Sequence, residues 1–128
     1  MPDAIFDVYR RMYAYDQRPL NAVVEATDSA GRDWVEQRIT YDAGYGQERV
    51  LAYLLLPRTA RPPCQTVVNF PGDSGLALRS SKPLPAYSFD FIVKSGRAVL
   101  FPVFKSMYER GDGLTSTYPT ETNSYRNT

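Results

Sequence analysis

The 128-residue sequence contains no histidine. A serine, histidine and aspartate triad needs an imidazole to take the proton of the serine hydroxyl, so this chain cannot perform triad chemistry alone. The tetrapeptide Gly72-Asp73-Ser74-Gly75, which also surrounds the nucleophile of some serine proteases, is therefore not evidence for a protease. Those proteases are all-β barrels, whereas here the tetrapeptide follows a strand pattern and precedes a helical one.

The sequence also has only one cysteine and a low net charge. The one cysteine, Cys64, has no partner for an intrachain disulfide, and one thiol without histidine cannot form a tetrahedral zinc site. Without a base to form its thiolate, we expect Cys64 to be a small buried or semi-exposed side chain and not a nucleophile. The 15 basic and 14 acidic residues leave a net charge of +1, with no basic cluster to follow a phosphate backbone. The sequence therefore argues against a nucleic acid partner.

Long apolar runs are missing near the N-terminus, where Asp7, Arg10 and Arg11 interrupt the longest apolar stretch. We therefore expect neither a signal peptide nor a membrane partner. Together with the single thiol, this favours a soluble, cytoplasmic protein. A length of 128 residues with 43% hydrophobic side chains suits one domain.

The N-terminal segment carries apolar residues at helical spacing, namely Ile5, Phe6, Tyr9, Met12 and Tyr13. This spacing predicts an amphipathic helix within residues 1–20, with Asp3 as its N-cap and Arg18-Pro19 beyond its end. The aromatic stripe could be a ligand face, but packing against a sheet or a neighbouring domain is the favoured interpretation.

The central segment has the pattern of a hairpin. Residues 34–41 and 50–56 are rich in aromatic, β-branched and apolar side chains, and the glycine-bearing residues 42–46 separate them. We predict an antiparallel hairpin over 34–56, after a polar stretch from Thr27 to Asp33.

The second half predicts a β-α-β unit over 65–104. Residues 65–70 suit a buried strand, residues 85–95 a helix that starts at Pro85 and ends at Gly96, and residues 98–103 a strand with Pro102 near its end or on an edge. The fold class is therefore α/β: an N-terminal helix and an antiparallel hairpin lead into the first β-α-β unit of an incomplete sheet. Residues 105–128 are predicted to be a polar loop or tail.

This incomplete sheet also predicts self-association. The strand at 98–103, fourth in the predicted order, and one face of the helix at 85–95 would lack neighbours. An unpaired sheet edge with exposed apolar surface should promote dimers or aggregates.

The loop after the strand at 65–70 allows three interpretations. A glycine turn between strand and helix can cradle phosphate, but the sequence has neither GxxxxGK[ST] nor GxGxxG. A purely structural turn is the second possibility. The third is an oxyanion hole, in which backbone N–H groups face the oxygen that becomes negative during acyl transfer. In α/β-hydrolases one such donor comes from the loop after the third strand, which is the position of this loop among the predicted strands.

Three segments, the hairpin at 34–56, residues 67–72 and residues 95–103, resemble the opening third of α/β-hydrolases of the dienelactone hydrolase and acetyl xylan esterase type. The likeness covers about residues 30–110. It looks closest to the hydrolase-like domains at the C-terminal end of some bacterial serine/threonine kinases. Sequences similar to Tyr108-Glu109-Arg110 follow the fourth strand in those domains.

The resemblance implies roles for particular residues. The usual His-Gly pair of the family falls on Pro71-Gly72, so the backbone N–H of Asp73 or Ser74 would belong to the oxyanion hole. The residues implied to face the substrate are Gly72, Gly75, Tyr108, Glu109 and Arg110. The proline is a departure from the family, because it removes an imidazole that often braces the loop. For the charged residues of segment 105–112, a solvated loop without a substrate role is the competing interpretation.

The resemblance implies the N-terminal part of a serine ester (acyl) hydrolase that acts on a small-molecule ester without a metal or organic cofactor. The G-x-S-x-G nucleophile elbow, the acid and the histidine lie later in the family's order and do not occur here. We therefore expect this chain alone to be inactive, and the gene to continue beyond Thr128 with a helix and then the elbow. The alternative is a non-catalytic, hydrolase-like binding or regulatory module attached to a bacterial serine/threonine kinase.

Overall fold

A computed structural model describes residues 3–15 and 17–112. In chain order its helices and strands are α1 (Asp3–Met12), β1 (Val23–Asp28), β2 (Trp34–Asp42), β3 (Arg49–Pro57), β4 (Thr66–Val68), α2 (Asp90–Lys94) and β5 (Ala98–Pro102). Short 3₁₀ helices occupy Asp73–Leu76, Ala86–Ser88 and Tyr108–Arg110. The predicted tail at 105–128 lies outside the described residues from position 113 onward.

The strands form one mixed sheet in the order β1-β2-β3-β5-β4. β1, β2, β3 and β5 pair antiparallel along the sheet, and β4 pairs parallel with β5. The parallel pair flanks the segment that contains α2, as the predicted β-α-β unit requires. The sheet with its few helices is consistent with the predicted α/β class.

The predicted hairpin is present, and its strands include three residues more than predicted, namely Asp42, Arg49 and Pro57. β2 and β3 pair in unbroken register from Trp34 opposite Pro57 to Asp42 opposite Arg49. The turn between the strands includes Gly46 at φ +57°, a left-handed conformation that glycine adopts at little cost.

β1 is a strand that the sequence did not reveal. The polar connection was expected from Thr27 onward, but Val23–Asp28 pairs with β2, with a register shift between Val24 and Ala26. All six β1 residues are exposed, so the segment has no buried face and no apolar alternation that would predict it. Backbone pairing with β2 is what makes it a strand.

The predicted helix over 85–95 is broken into a 3₁₀ turn and the short α2. Phe89 stands at the break with φ −141°, and its side chain is completely buried. Its ring meets Trp34 edge-on with centroids 6.4 Å apart and lies 6.5 Å from the ring of Phe101. A continuous helix was therefore the wrong prediction, and the break coincides with the residue that packs into the core. Gly96 ends the helical segment at φ +88°, as expected.

The core lies between the sheet and α2. Its fully buried side chains are Leu55, Phe89, Val93, Val99, Phe101 and Val103. The strand at 98–103 was expected to lack a neighbour, and this was wrong, because β5 lies between β3 and β4. It ends at Pro102, opposite Ala52 of β3. The edges of the sheet are β1 and β4, and β4 is shorter than the predicted strand at 65–70.

The aromatic stripe of α1 is exposed. The helix starts at Asp3 itself, and it has no buried residue. Phe6 and Tyr9 are each about half exposed. The predicted packing of the stripe against the sheet therefore does not occur within the described residues. Neither described helix has the length and apolar content needed to cross a bilayer.

Candidate active site

Two loops meet at one edge of the sheet. Because β4 and β5 are parallel, their carboxyl ends lie at the same edge, where α/β proteins commonly bind ligands. Phe70, just after β4, stacks on Phe104, just after β5, with ring centroids 5.5 Å apart. The stacked rings hold the two loops side by side.

A cleft of about 610 Å³ opens beside these loops. Its lining comes from the segment after β4, from the connection that leads to α2, and from the buried rings of Phe101 and Tyr108. Gly72 and Ser74 line it, whereas Asp73 does not. Serines 80, 81 and 88 add hydroxyl groups, and Tyr87 adds an exposed ring.

The tetrapeptide singled out in the sequence forms a tight turn on this cleft. The Gly75 N–H donates to the Gly72 carbonyl at 3.1 Å, and the Ala77 N–H donates to the Ser74 carbonyl at 3.2 Å. Within the described residues, the N–H groups of Asp73 and Ser74 donate to no protein acceptor. The turn therefore presents two adjacent backbone donors at exposed residues, one of which lines the cleft.

Gly75 is fixed by the packing of a neighbouring loop. A Cβ atom at this position would lie 2.9 Å from Cε2 and 3.0 Å from Cζ of Tyr108, and 3.2 Å from the sulfur of Met107. Tyr108 is buried and holds a left-handed φ of +50°, which bulky residues rarely adopt. The loop after β5 thus packs directly against the turn at Gly75, a contact that only glycine permits.

Glu109 braces the wall of the cleft. Its Oε1 accepts hydrogen bonds from the Ser81 N–H at 3.0 Å and the Ser81 hydroxyl at 2.9 Å, and a longer one from Ser80. Partial burial raises the pKa of Glu109, but these hydrogen bonds and its own backbone N–H outweigh burial and hold the pKa below its usual value. Oε1 of the carboxylate is therefore bound within the protein, by the serines at positions 80 and 81.

Arg110 ties the same loop to the opposite hairpin. One guanidinium nitrogen donates to the Val103 carbonyl at 3.0 Å, and another forms an ion pair with Glu48 at 2.8 Å. Glu48 also pairs with Lys105 at 2.7 Å. The hydrogen bond from Lys105 is the main reason that the pKa of Glu48 is lowered. These contacts join the loop after β5 to the turn between β2 and β3.

No sequence motif predicts a further set of polar contacts near the cleft, which involve Glu36, Tyr53, Ser81 and Lys82. The Ser81 hydroxyl also bonds the Tyr53 hydroxyl at 3.3 Å. Lys82 contacts Glu36 and lies over the Tyr53 ring, 4.5 Å from its centroid. These contacts join residues 28 or more positions apart, so no local pattern could have indicated them.

The structure separates the predicted site residues into two groups. Gly72, Ser74 and Tyr108 line the cleft. The other four are Asp73, Gly75, Glu109 and Arg110, of which the last three make the contacts within the protein described above. No group of three or more His, Cys, Asp or Glu residues in the described part of the chain could hold a metal ion.

No family model matches the sequence. The curated proteins also gave no match. Among solved structures, a chain described as a putative acetyl xylan esterase from Bacteroides fragilis is similar, with a TM-score of 0.64 and 15% sequence identity. The alignment covers 97% of the present chain and 36% of the Bacteroides fragilis chain.

This similarity shows that the chain has a hydrolase-like fold. The predicted resemblance to esterases is confirmed at the level of the fold, and the chain spans little more than a third of that structure.

Proposed function

We propose that the chain is the N-terminal part of an ester (acyl) hydrolase, in which the loop after β4 stabilises the oxyanion. The observation that carries the proposal is the pair of adjacent backbone N–H groups at Asp73 and Ser74, which have no acceptor among the described residues. Ser74 lines the cleft, and Asp73 is its neighbour in the same turn. Donors already fixed in place need no reorganisation as charge develops on the carbonyl oxygen, which is why such pairs accelerate acyl transfer.

The chain's own part in the reaction is to bind and polarise the ester. The apolar rings of the cleft would hold the substrate, and the two N–H groups would take the negative charge of the tetrahedral intermediate. Within the described residues no hydrogen bond joins the Ser74 hydroxyl to a base, so that hydroxyl has no role in this mechanism. The nucleophile, histidine and acid come from elsewhere in the complete enzyme.

The fold similarity supports the choice of substrate class. The Bacteroides fragilis protein is described as a putative acetyl xylan esterase. A small-molecule acetyl ester is therefore the first substrate to assay, and the proposed reaction needs no metal or organic cofactor.

The proposal is tested by titrating the ¹⁵N-labelled chain with methyl phenylphosphonate, a monoanion with the tetrahedral shape of the intermediate. We expect the amide proton signals of Asp73 and Ser74 to move downfield and to saturate together, because both would donate to the anionic oxygen. Benzyl alcohol, which has the ring but not the anion, should leave both signals in place. Phosphonate binding that moves neither amide would refute the oxyanion role.

The competing proposal is a non-catalytic module attached to a bacterial serine/threonine kinase. The sequence feature that favours it is the lack of histidine and of a nucleophile elbow within the 128 residues. These residues alone could therefore bind an ester in the cleft but could not hydrolyse it. The coding sequence downstream distinguishes the two proposals. A G-x-S-x-G elbow supports the hydrolase, and a stop codon or an elbow without serine supports the module.

A further inference from the structure

The phenol of Tyr108 is an unusual group in this cleft. The residue is 92% buried, since 8% of its surface remains exposed, and it lines the cleft. Among the described residues its hydroxyl makes no hydrogen bond. Buried polar groups are nearly always paired, so an unpaired one at a cavity wall calls for an explanation.

The other two phenols in this region do not share this property. Tyr53 is more deeply buried, at 4% exposure, but its hydroxyl is bonded to Ser81. Tyr87 is 88% exposed, so its hydroxyl is free to bond with water. Tyr108 alone combines burial, a place on the cleft and a hydroxyl without a protein partner within the described segments.

The position of the Tyr108 ring places this hydroxyl beside the glycine turn. The ring carbon that bears the hydroxyl, Cζ, would lie 3.0 Å from a Cβ on Gly75. The backbone keeps the ring there at φ +50°, a conformation that is rare for a bulky residue and that tends to persist at functional sites. The hydroxyl therefore lies beside the turn that carries the free N–H groups of Asp73 and Ser74, and both Tyr108 and Ser74 line the cleft.

We propose that the Tyr108 hydroxyl donates a third hydrogen bond to the ligand oxygen bound by the glycine turn. This inference rests on the proposed function, because it assumes that a carbonyl or tetrahedral oxygen occupies the cleft. A side-chain hydroxyl beside backbone N–H groups is a chemically suitable donor for a developing oxyanion. The ring has a second effect, since its contact with Gly75 positions the turn.

The test compares Tyr108→Phe with the wild-type chain in the phosphonate titration. The variant keeps the ring and its contact with Gly75 and removes only the hydroxyl. We expect the dissociation constant of methyl phenylphosphonate to rise on the order of tenfold or more, since the lost hydrogen bond is to a charged acceptor. The melting temperature should not fall, because the removed hydroxyl has no partner in the protein.

Tyr41→Phe is the matched control. Tyr41 is a partly buried phenol on a separate cleft beside Tyr15, and its replacement should leave the phosphonate affinity unchanged. An equal loss of affinity in both variants would overturn the inference. So would a lower melting temperature of Tyr108→Phe with unchanged affinity, which would assign the hydroxyl a structural role.

The amide signals separate this inference from the proposed function. If the Asp73 and Ser74 amides shift equally, with equal affinity, in the wild type and in Tyr108→Phe, the inference on Tyr108 fails and the oxyanion turn stands. If Tyr108→Phe weakens binding but neither amide shifts in the wild type, the turn fails and Tyr108 is a ligand donor by itself. If no signal shifts up to the solubility limit of the phosphonate, both fail.

Discussion

At the scale of single residues, Gly75 and Gly72 look alike in the sequence but have opposite surroundings. A Cβ at Gly75 would meet the Tyr108 ring at 2.9 Å, whereas the nearest atom to a Cβ at Gly72 is the Ser74 oxygen at 4.0 Å. Gly72 also has φ −75°, which any residue adopts. The same motif therefore contains one glycine that packing requires and one that it does not.

Gly75→Ala should destabilise the fold by about 1–3 kcal/mol, the usual cost of overpacking a filled site. Gly72→Ala is the matched control and should leave stability unchanged or slightly higher, because alanine reduces the entropy of the unfolded chain. Urea unfolding of both variants measures the difference. Equal urea midpoints for the two variants would show that the Tyr108 ring can move aside and does not fix the turn.

The sequence predicted the location of the loop but not the contacts that hold it. Gly72-Asp73-Ser74-Gly75 stood out because its glycines follow a strand pattern. In contrast, the bonds from Ser80 and Ser81 to Glu109 depend on the chain returning to the same sheet edge. A substrate role for Glu109 and Arg110 stays a prediction, whereas their contacts with Ser81 and Glu48 join distant parts of the chain and only the fold could reveal them.

At the scale of secondary structure elements, the two edge strands differ in their protection against pairing. β1 has Glu25 and Asp28 and an irregular register with β2, features that discourage pairing with another chain. β4 contains no charged residue, and Val68 is 43% exposed at its end. Self-association, which the sequence already indicated, should therefore use β4 and not the strand first expected.

Val68→Lys should shift the isolated chain toward the monomer, because a charge on an exposed edge strand opposes pairing with a second strand. Thr27→Lys, on the opposite edge, is the control and should leave self-association as in the wild type. Sedimentation equilibrium across a concentration series measures both. A wild-type chain that stays monomeric at every concentration would contradict the prediction, as would equal association of the two variants.

The elements themselves were predictable to different degrees for physical reasons. The hairpin of β2 and β3 has a strong apolar pattern around a glycine turn, so its prediction was confirmed. β1 depends on backbone pairing alone, and the break at Phe89 depends on the shape of the core, so neither has a local signal. β5 and β4 were predicted as the two strands of the β-α-β unit, but the pairing of β5 with β3 was not predicted, because strand order is set by packing across the whole sheet.

At the scale of the whole molecule, the sheet places a cleft and two free backbone donors at one edge, and the chain spans 36% of the similar esterase structure. We therefore propose that this chain supplies the oxyanion side of an active site whose nucleophile lies elsewhere. Asp73→Pro can test this without disturbing the turn. Gly72 at φ −75° and ψ 170° suits the residue before a proline, and proline is favoured at this turn position.

The most direct measurement is kcat for the hydrolysis of 4-nitrophenyl acetate by the product of the complete open reading frame. Asp73→Pro removes one backbone donor, and Asp73→Ala controls for loss of the carboxylate. We predict that the product hydrolyses the ester, that Asp73→Ala and Ser74→Ala keep kcat, and that Asp73→Pro lowers kcat by about 100-fold. Equal kcat for Asp73→Pro and Asp73→Ala, or a complete product without esterase activity, would contradict the proposal.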